Sequence, residues 1–205
     1  MIWCSGWELV SAVSSAGGLG LIGSGSMYPE VLRAHIQKCK AATSKPFGVN
    51  VPLLYPDIDK HLEIIVEEGV KIVFTSAGNP AKFTSWLKER GITVVHVIAN
   101  TKFAKKCEDA GVDAIVAEGF EAGGHNGREE TTTLVLIPQI KKIIPNHIKI
   151  IDSGEAVAKQ TKHILEVNNL FNTSNEVFHS FYINNPPEVM QQLIGSQFNV
   201  VYKAF

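Results

Sequence analysis

Between residues 8 and 150 the apolar positions follow two rhythms in turn: short unbroken runs, and longer stretches in which apolar residues recur every three or four positions. The first rhythm marks buried strands and the second amphipathic helices. The pattern predicts a helix over Glu8–Ala16 closed by Gly17-Gly18, then a strand at Leu19–Ile22 ending in Gly23-Ser24-Gly25. A helix over Pro29–Ala42 follows, with Val31, Leu32, Ile36 and Cys39 on one side, and a strand at Phe47–Val51. Next come a helix over Ile58–Glu68 with Leu62, Ile65 and Val66 inward, a strand at Lys71–Thr75 and a helix over Ala81–Arg90. The run closes with a strand at Thr93–Ile98, a helix over Lys102–Ala110, a strand at Ala114–Ala117 and a helix from about Thr132 to Ile144.

Helices stop at glycine repeatedly, at Gly17, Gly69, Gly91 and Gly111, as left-handed C-caps do. Short apolar strands separated by helices imply parallel strands covered by helices. A repeat of roughly 20–30 residues fits a (β/α)8 barrel or a doubly wound sheet. In both, ligands sit at the carboxyl ends of the strands, and that is where the polar and glycine residues gather: Gly23-Ser24-Gly25, Asn50, Thr75 to Asn79, Asn100-Thr101 and Glu118 to Gly127. No G-x-G-x-x-G opens a helix after the first strand, which weakens a nicotinamide-type Rossmann reading.

Composition narrows the function classes. The 205 residues carry 19 basic and 20 acidic side chains, so no charge excess attracts nucleic acid or an anionic membrane. Three widely spaced cysteines, Cys4, Cys39 and Cys107, suit a reducing cytoplasm and lack metal-ligand spacing. Met1–Ser5 lacks the basic start of a signal peptide, and no apolar run reaches the length of a membrane span. The segment Glu118-Gly119-Phe120-Glu121-Ala122-Gly123-Gly124-His125-Asn126-Gly127 is the richest in chemistry. Its glycines permit close backbone approach to a flat ligand, and a histidine exchanges protons near neutrality. The same residues would also serve as a glycine-rich surface loop carrying a solvated histidine. His96 lies mid-strand and His61 on the polar face of its helix; both read as structural.

Four segments occur in this order in a known family: Ser14-Ser15-Ala16-Gly17-Gly18-Leu19-Gly20, Pro46-Phe47-Gly48-Val49-Asn50, Thr75-Ser76-Ala77-Gly78-Asn79-Pro80 and Glu121-Ala122-Gly123-Gly124-His125. Over roughly residues 1–150 the chain resembles the nitronate monooxygenases, formerly 2-nitropropane dioxygenases, and the related flavin-dependent enoyl-acyl-carrier-protein reductases. The resemblance implies an FMN-dependent TIM (β/α)8-type barrel acting on a nitronate or nitroalkane with O2. It implies that Asn50 bonds the flavin ring region, that Thr75, Ser76 and Gly78 face the cofactor, and that Glu118, Gly123 and Gly124 floor the pocket. His125 matches the catalytic histidine over the flavin face. No metal, nucleic acid or membrane is implied; a homo-oligomer is compatible with it.

The chain departs from the family pattern in two places. The first strand is shortened, and the seventh and eighth strand units, which hold the phosphate in such barrels, are not visible. Ile150 runs straight into Ile151-Asp152-Ser153-Gly154-Glu155, as though an internal segment were absent. The expected organisation is therefore a partial FMN-binding barrel over 1–150 and an Asn/Gln-rich tail over 151–205 packing on it, with helices at Glu155–Val167 and Pro187–Ile194. Three readings follow: a nitronate-oxidising flavoenzyme, an FMN-dependent enoyl-thioester reductase, or a non-catalytic truncated barrel serving as an interaction module.

Overall fold

The computed structural model describes residues 4–124, 126–144, 151, 154–170, 179–183, 186–195 and 197–203. The chain divides into two compact units between residues 148 and 149. In the first unit, helices and strands alternate: α1 (Trp7–Ser15), β1 (Gly20–Gly23), α2 (Pro29–Ala42), β2 (Phe47–Pro52), α3 (Ile58–Glu67), β3 (Ile72–Ser76), α4 (Thr84–Lys88), β4 (Thr93–Ile98), α5 (Thr101–Asp109), β5 (Ala114–Ala117) and α6 (Thr133–Lys141). The five strands form one parallel sheet in the order β1-β2-β3-β4-β5. Sequential parallel order with a helix at every crossover is the arrangement of consecutive TIM-barrel units. Among the described residues this first unit contains five strands, with β1 and β5 at the edges of the sheet.

Register and side-chain alternation divide the sheet into two faces. Ile22 pairs with Val49, Val49 with Val73, Val73 with Val94 and Thr75 with His96. This face is sealed by Val10, Leu32, Ile36, Leu62, Ile65 and Leu87 from the helices. Burial of about ten such aliphatic side chains, each contributing roughly 1.5–3 kcal/mol, holds the helical layer to the sheet. The opposite face carries Gly48, Asn50, Phe74, Ser76, Val97 and Val116 and corresponds to a barrel interior; it is less covered, with Val116 39% exposed.

The glycine C-caps form as expected. Gly69 adopts φ +69°, its N–H donates to the Val66 carbonyl at 3.0 Å, and the Val70 N–H donates to the Ile65 carbonyl at 3.0 Å, a Schellman closure. The helix expected over 81–90 is shorter. Phe83 at φ −127° separates a 3₁₀ turn, Pro80–Lys82, from α4, and the Thr84 hydroxyl bonds the Pro80 carbonyl at 2.6 Å. The helix expected to reach Ile144 ends at Lys141; Pro138 inside it supplies no N–H for the preceding turn. His61 does not lie on a polar face: it is 2% exposed. Ile58, His61, Leu62 and Ile65 share the i, i+3, i+4, i+7 stripe that faces the core.

The second unit contains α7 (Gly154–Val167), β6 (Ser180–Ile183), α8 (Pro187–Ile194) and β7 (Asn199–Tyr202). The helices occupy the expected positions. The strands were not anticipated: β6 and β7 pair in parallel, from Ser180 opposite Asn199 to Ile183 opposite Tyr202. They make a small β-α-β unit around α8. Phe181-Tyr182-Ile183 and Val200-Val201-Tyr202 have strand composition, but each run is too short to show a period.

Candidate functional site

The loops at the carboxyl ends of β1 to β5 hold most of the residues singled out from the sequence. Asn50 lies on the interior face of β2, paired with Gly23 and Phe74. Its amide nitrogen donates to the Phe74 carbonyl at 3.2 Å and lies 3.4 Å from the Ser76 hydroxyl. The Asn50 backbone carbonyl accepts from the fully buried Ser24 hydroxyl at 2.8 Å, which ties the Gly-Ser-Gly turn after β1 to the end of β2. Asn50 and Ser76 thus stand side by side on one face, above Gly48, which brings no side chain.

Thr75 is placed differently. It is 2% exposed on the helix-covered face, with its Oγ1 2.6 Å from His96 Nδ1. Its side chain is engaged inside the protein, and only its backbone borders the site. Gly78 packs against Leu53: a Cβ there would fall 2.5 Å from the Leu53 Cβ. The Leu53 N–H donates to the Ser76 carbonyl at 2.7 Å, fixing the turn from below.

After β5, the Glu118 N–H donates to the Ile98 carbonyl at 2.8 Å, and alternation puts Glu118 in line with Val116 on the interior face. Burial pushes the Glu118 carboxyl above its ordinary range. The loop beyond it is built on internal bonds. The Phe120 N–H meets the Thr131 carbonyl at 2.9 Å, and Glu121 caps α6 by accepting from the Thr133 N–H at 2.8 Å. Asn126 donates to the Phe120 and Ala122 carbonyls at 2.7 and 2.6 Å, while its buried Oδ1 has no partner. A Cβ at Gly123 or Gly124 would meet nothing within 4 Å, and Gly124 has φ +94°. The loop therefore leaves open space along its glycines. His125 lies outside the described residues.

Sequence reasoning placed Ser24, Asn100 and Asn126 at strand ends and His96 as structural but missed their partners: Ser24 behind Asn50, His96 with Thr75, the Asn126 clamp, and Asn100, which caps α5 through the Phe103 N–H and donates to Glu129 at 2.9 Å. Ser24 and Asn100 follow strand ends, and that position was the available signal. Burial raises the Cys39 thiol, and that of Cys107 to about 11, so both are inert packing groups. Among the described residues no group of three or more His, Cys, Asp or Glu side chains could hold a metal, and no helix is long and apolar enough to cross a membrane.

Relatives place this architecture. A 5-hydroxy-7a-methyl-1-oxo-octahydro-1H-indene-4-carboxyl-CoA dehydrogenase from Mycobacterium tuberculosis is 37% identical over 154 residues, covering 75% of this chain and 43% of the relative. A nitronate monooxygenase from Paraburkholderia phytofirmans is 34% identical over 158 residues, covering 58% of this chain and 43% of the relative. Among solved structures, FabK from Thermotoga maritima superposes with a TM-score of 0.68 at 45% identity, over 71% of this chain and 46% of that one. The chain thus spans less than half the length of these relatives. The relatives are enzymes, and the nitronate monooxygenases and FabK are FMN-dependent TIM-barrel flavoenzymes. The family model for nitronate monooxygenase matches residues 1–61 and 52–160, and with the five sequential β/α units it shows that the chain belongs to the nitronate monooxygenase family.

Proposed function

We propose that this chain binds FMN at the carboxyl ends of β1 to β5, through residues 1–150, and acts as a flavin-dependent oxidoreductase on alkyl nitronates with O2. The observation that carries this reading is the side-by-side placement of Asn50 and Ser76 on the interior face. A flat heterocycle with edge donors and acceptors needs such a pair, and it needs surfaces free of Cβ atoms. The open run at Gly123-Gly124 supplies them, whereas the space over Gly48 is filled by Leu21 and Ile72. These residues fit the ring portion of the cofactor.

Bound FMN supplies the redox capacity that the side chains lack. The protein's part is position and electrostatics. The Asn50 carboxamide, held in one rotamer by Phe74, offers its oxygen to a ring N–H. Ser76 adds a hydroxyl that donates or accepts. Glu118, whose carboxyl burial pushes above its ordinary value, lines the floor. His125, between Gly124 and Asn126, orients the nitro group and takes the α-proton of a neutral nitroalkane, a role worth about 10²–10⁴-fold. A nitronate arrives already deprotonated and needs only the orientation.

A second reading has its own support: a thioester substrate. FabK and the CoA dehydrogenase exceed the nitronate enzyme in identity to this chain. The deciding experiment loads the full chain with FMN and mixes it anaerobically with propyl-2-nitronate or with reduced nicotinamide. Rapid bleaching of the flavin by the nitronate supports the first reading, and bleaching by nicotinamide alone the second. No retained flavin refutes both and leaves the non-catalytic barrel.

A further inference from the structure

The loop between β5 and α6 has two legs, each anchored at its base. On the first leg the Glu118 N–H donates to the Ile98 carbonyl at 2.8 Å, the Phe120 N–H to the Thr131 carbonyl at 2.9 Å and the Ala122 N–H to the Gly119 carbonyl at 3.1 Å. Gly119 lies so close to Thr133 that a side chain there would collide, and the Glu121 carboxylate accepts from the Thr133 N–H. On the second leg Gly127 lies equally close to Ala99, and Glu129 accepts from the Asn100 amide at 2.9 Å. Past Ala122 come Gly123 and Gly124, where a Cβ would meet nothing within 4 Å. Two glycines without neighbours leave the backbone a wide choice of angles. Their path has to be set by the residues on either side.

One side chain does this. The Asn126 amide reaches back to the Phe120 carbonyl at 2.7 Å and to the Ala122 carbonyl at 2.6 Å. Carbonyls only accept, so the atom facing both is the nitrogen, and both of its hydrogens are used. The Oδ1 atom is buried and has no partner among the described residues. Turning the amide over would set this oxygen against two carbonyls, so the side chain has one orientation. The Phe120–Thr131 and Glu121–Thr133 contacts close the loop at its wide base; Asn126 closes it again beside the glycines. Few residues could replace it. A serine has one hydrogen to give, and an aspartate at neutral pH has none.

We propose that Asn126 is a positioning residue for the flavin site: its amide joins the two legs on either side of Gly123-Gly124 and so fixes the backbone edge that these glycines turn towards the flavin ring. The role rests on the flavin reading above, while the tie itself is measurable in the flavin-free chain.

The test uses the full chain, Asn126→Asp, Asn126→Ala and, as a control, Gly69→Ala, which strains the cap of α3 at the opposite end of the sheet. Two quantities are read: hydrogen exchange of the Phe120 and Ala122 amides without flavin, and FMN affinity by quenching of flavin fluorescence. At pH 7 both Asn126 variants are expected to exchange these amides about tenfold faster or more and to bind FMN about tenfold more weakly or more, with β2 to β4 still protected. Gly69→Ala is expected to keep FMN affinity within about threefold of the native chain. In Asn126→Asp one carboxylate oxygen would take the buried, unpartnered place of Oδ1, which disfavours the anion. As the pH falls towards 5 its protonated carboxyl donates one hydrogen, so its difference from the native chain is expected to narrow, while that of Asn126→Ala stays. If Asn126→Asp does not fold, Asn126→Ala decides by the same two readings. Native-like exchange in the Asn126 variants overturns the proposal. An equal fall in FMN affinity in Gly69→Ala also overturns it, because the loss then follows overall stability. Faster exchange with unchanged FMN affinity overturns it as well, since the tie would hold the loop without serving the site. If the native chain binds no FMN, the flavin reading fails and takes the positioning role with it; the exchange comparison then shows separately whether Asn126 holds the loop.

Discussion

Replacing Asn50 by Asp changes one NH2 for one oxygen and leaves the shape intact. In the native chain the amide donates to the Phe74 carbonyl at 3.2 Å and lies 3.4 Å from the Ser76 hydroxyl. A carboxylate cannot donate, so two acceptors would face each other across the Phe74 contact on a half-covered face. Losing the donor and leaving a partly buried carbonyl opposed costs about 1–3 kcal/mol. At roughly 2–4 °C per kcal/mol for a chain of this size, the melting temperature should fall by about 2–12 °C at pH 8. The sign with pH is fixed. The introduced carboxyl is disfavoured as an anion, so its folded pKa lies above its unfolded value near 3.9. Its protonated form donates through O–H, so the deficit should shrink as pH falls towards about 5 and grow as pH rises. Asn50→Leu loses the same bonds without a charge and should show a smaller, pH-independent deficit of about 1 kcal/mol. The assay is thermal unfolding of the two variants and the native chain between pH 5 and pH 8. A native-like melt for Asn50→Asp across that range would refute the placement of Asn50 beside Phe74 and Ser76.

Other variants probe separate links. Gly78→Ala should cost about 1–3 kcal/mol in thermal unfolding, because its Cβ lands 2.5 Å from that of Leu53. Gly69→Ala, at φ +69° with nothing within 4 Å, should cost about 1 kcal/mol through backbone strain alone and leave flavin affinity unchanged. Burial lowers the ring pKa of both His61 and His96, so the unfolded chain binds more protons below about pH 6.5 and the native chain should lose stability as pH falls through that value; His61→Leu should flatten the loss in a pH series of melts. His125→Ala in the FMN-loaded chain should lower kcat/KM for a neutral nitroalkane about 100-fold or more while sparing the preformed nitronate; equal losses on both would assign His125 to binding.

Much of the first unit was legible because its signals are local. Apolar runs, amphipathic stripes and capping glycines each depend on a few neighbouring residues, and β1 to β5 fall where those signals stand. Asn50 and Ser76 were legible through their position at strand ends. What was not legible depends on partners far along the chain. Thr75 looked like Ser76's companion, but a period of two sends its side chain to the opposite face, where it meets His96. His61 looked polar by type and was buried by the stripe it shares with Ile58, Leu62 and Ile65. The short strands β6 and β7 owe their existence to pairing with each other across α8, and four residues carry too little pattern to announce it. Ala77's left-handed backbone could not be read at all, since alanine gives no hint of it.

The most direct measurement is a titration of the full purified chain with FMN and with riboflavin, followed by quenching of flavin fluorescence, for the native protein and Asn50→Asp. The expected result is saturable one-to-one binding of both flavins with comparable affinity, since the ring-side residues are present and the family's phosphate segment is not visible in the sequence, and binding at least tenfold weaker in Asn50→Asp. Absence of saturable binding, or binding that Asn50→Asp leaves unchanged, would contradict a flavin site on the interior face of β2 and β3.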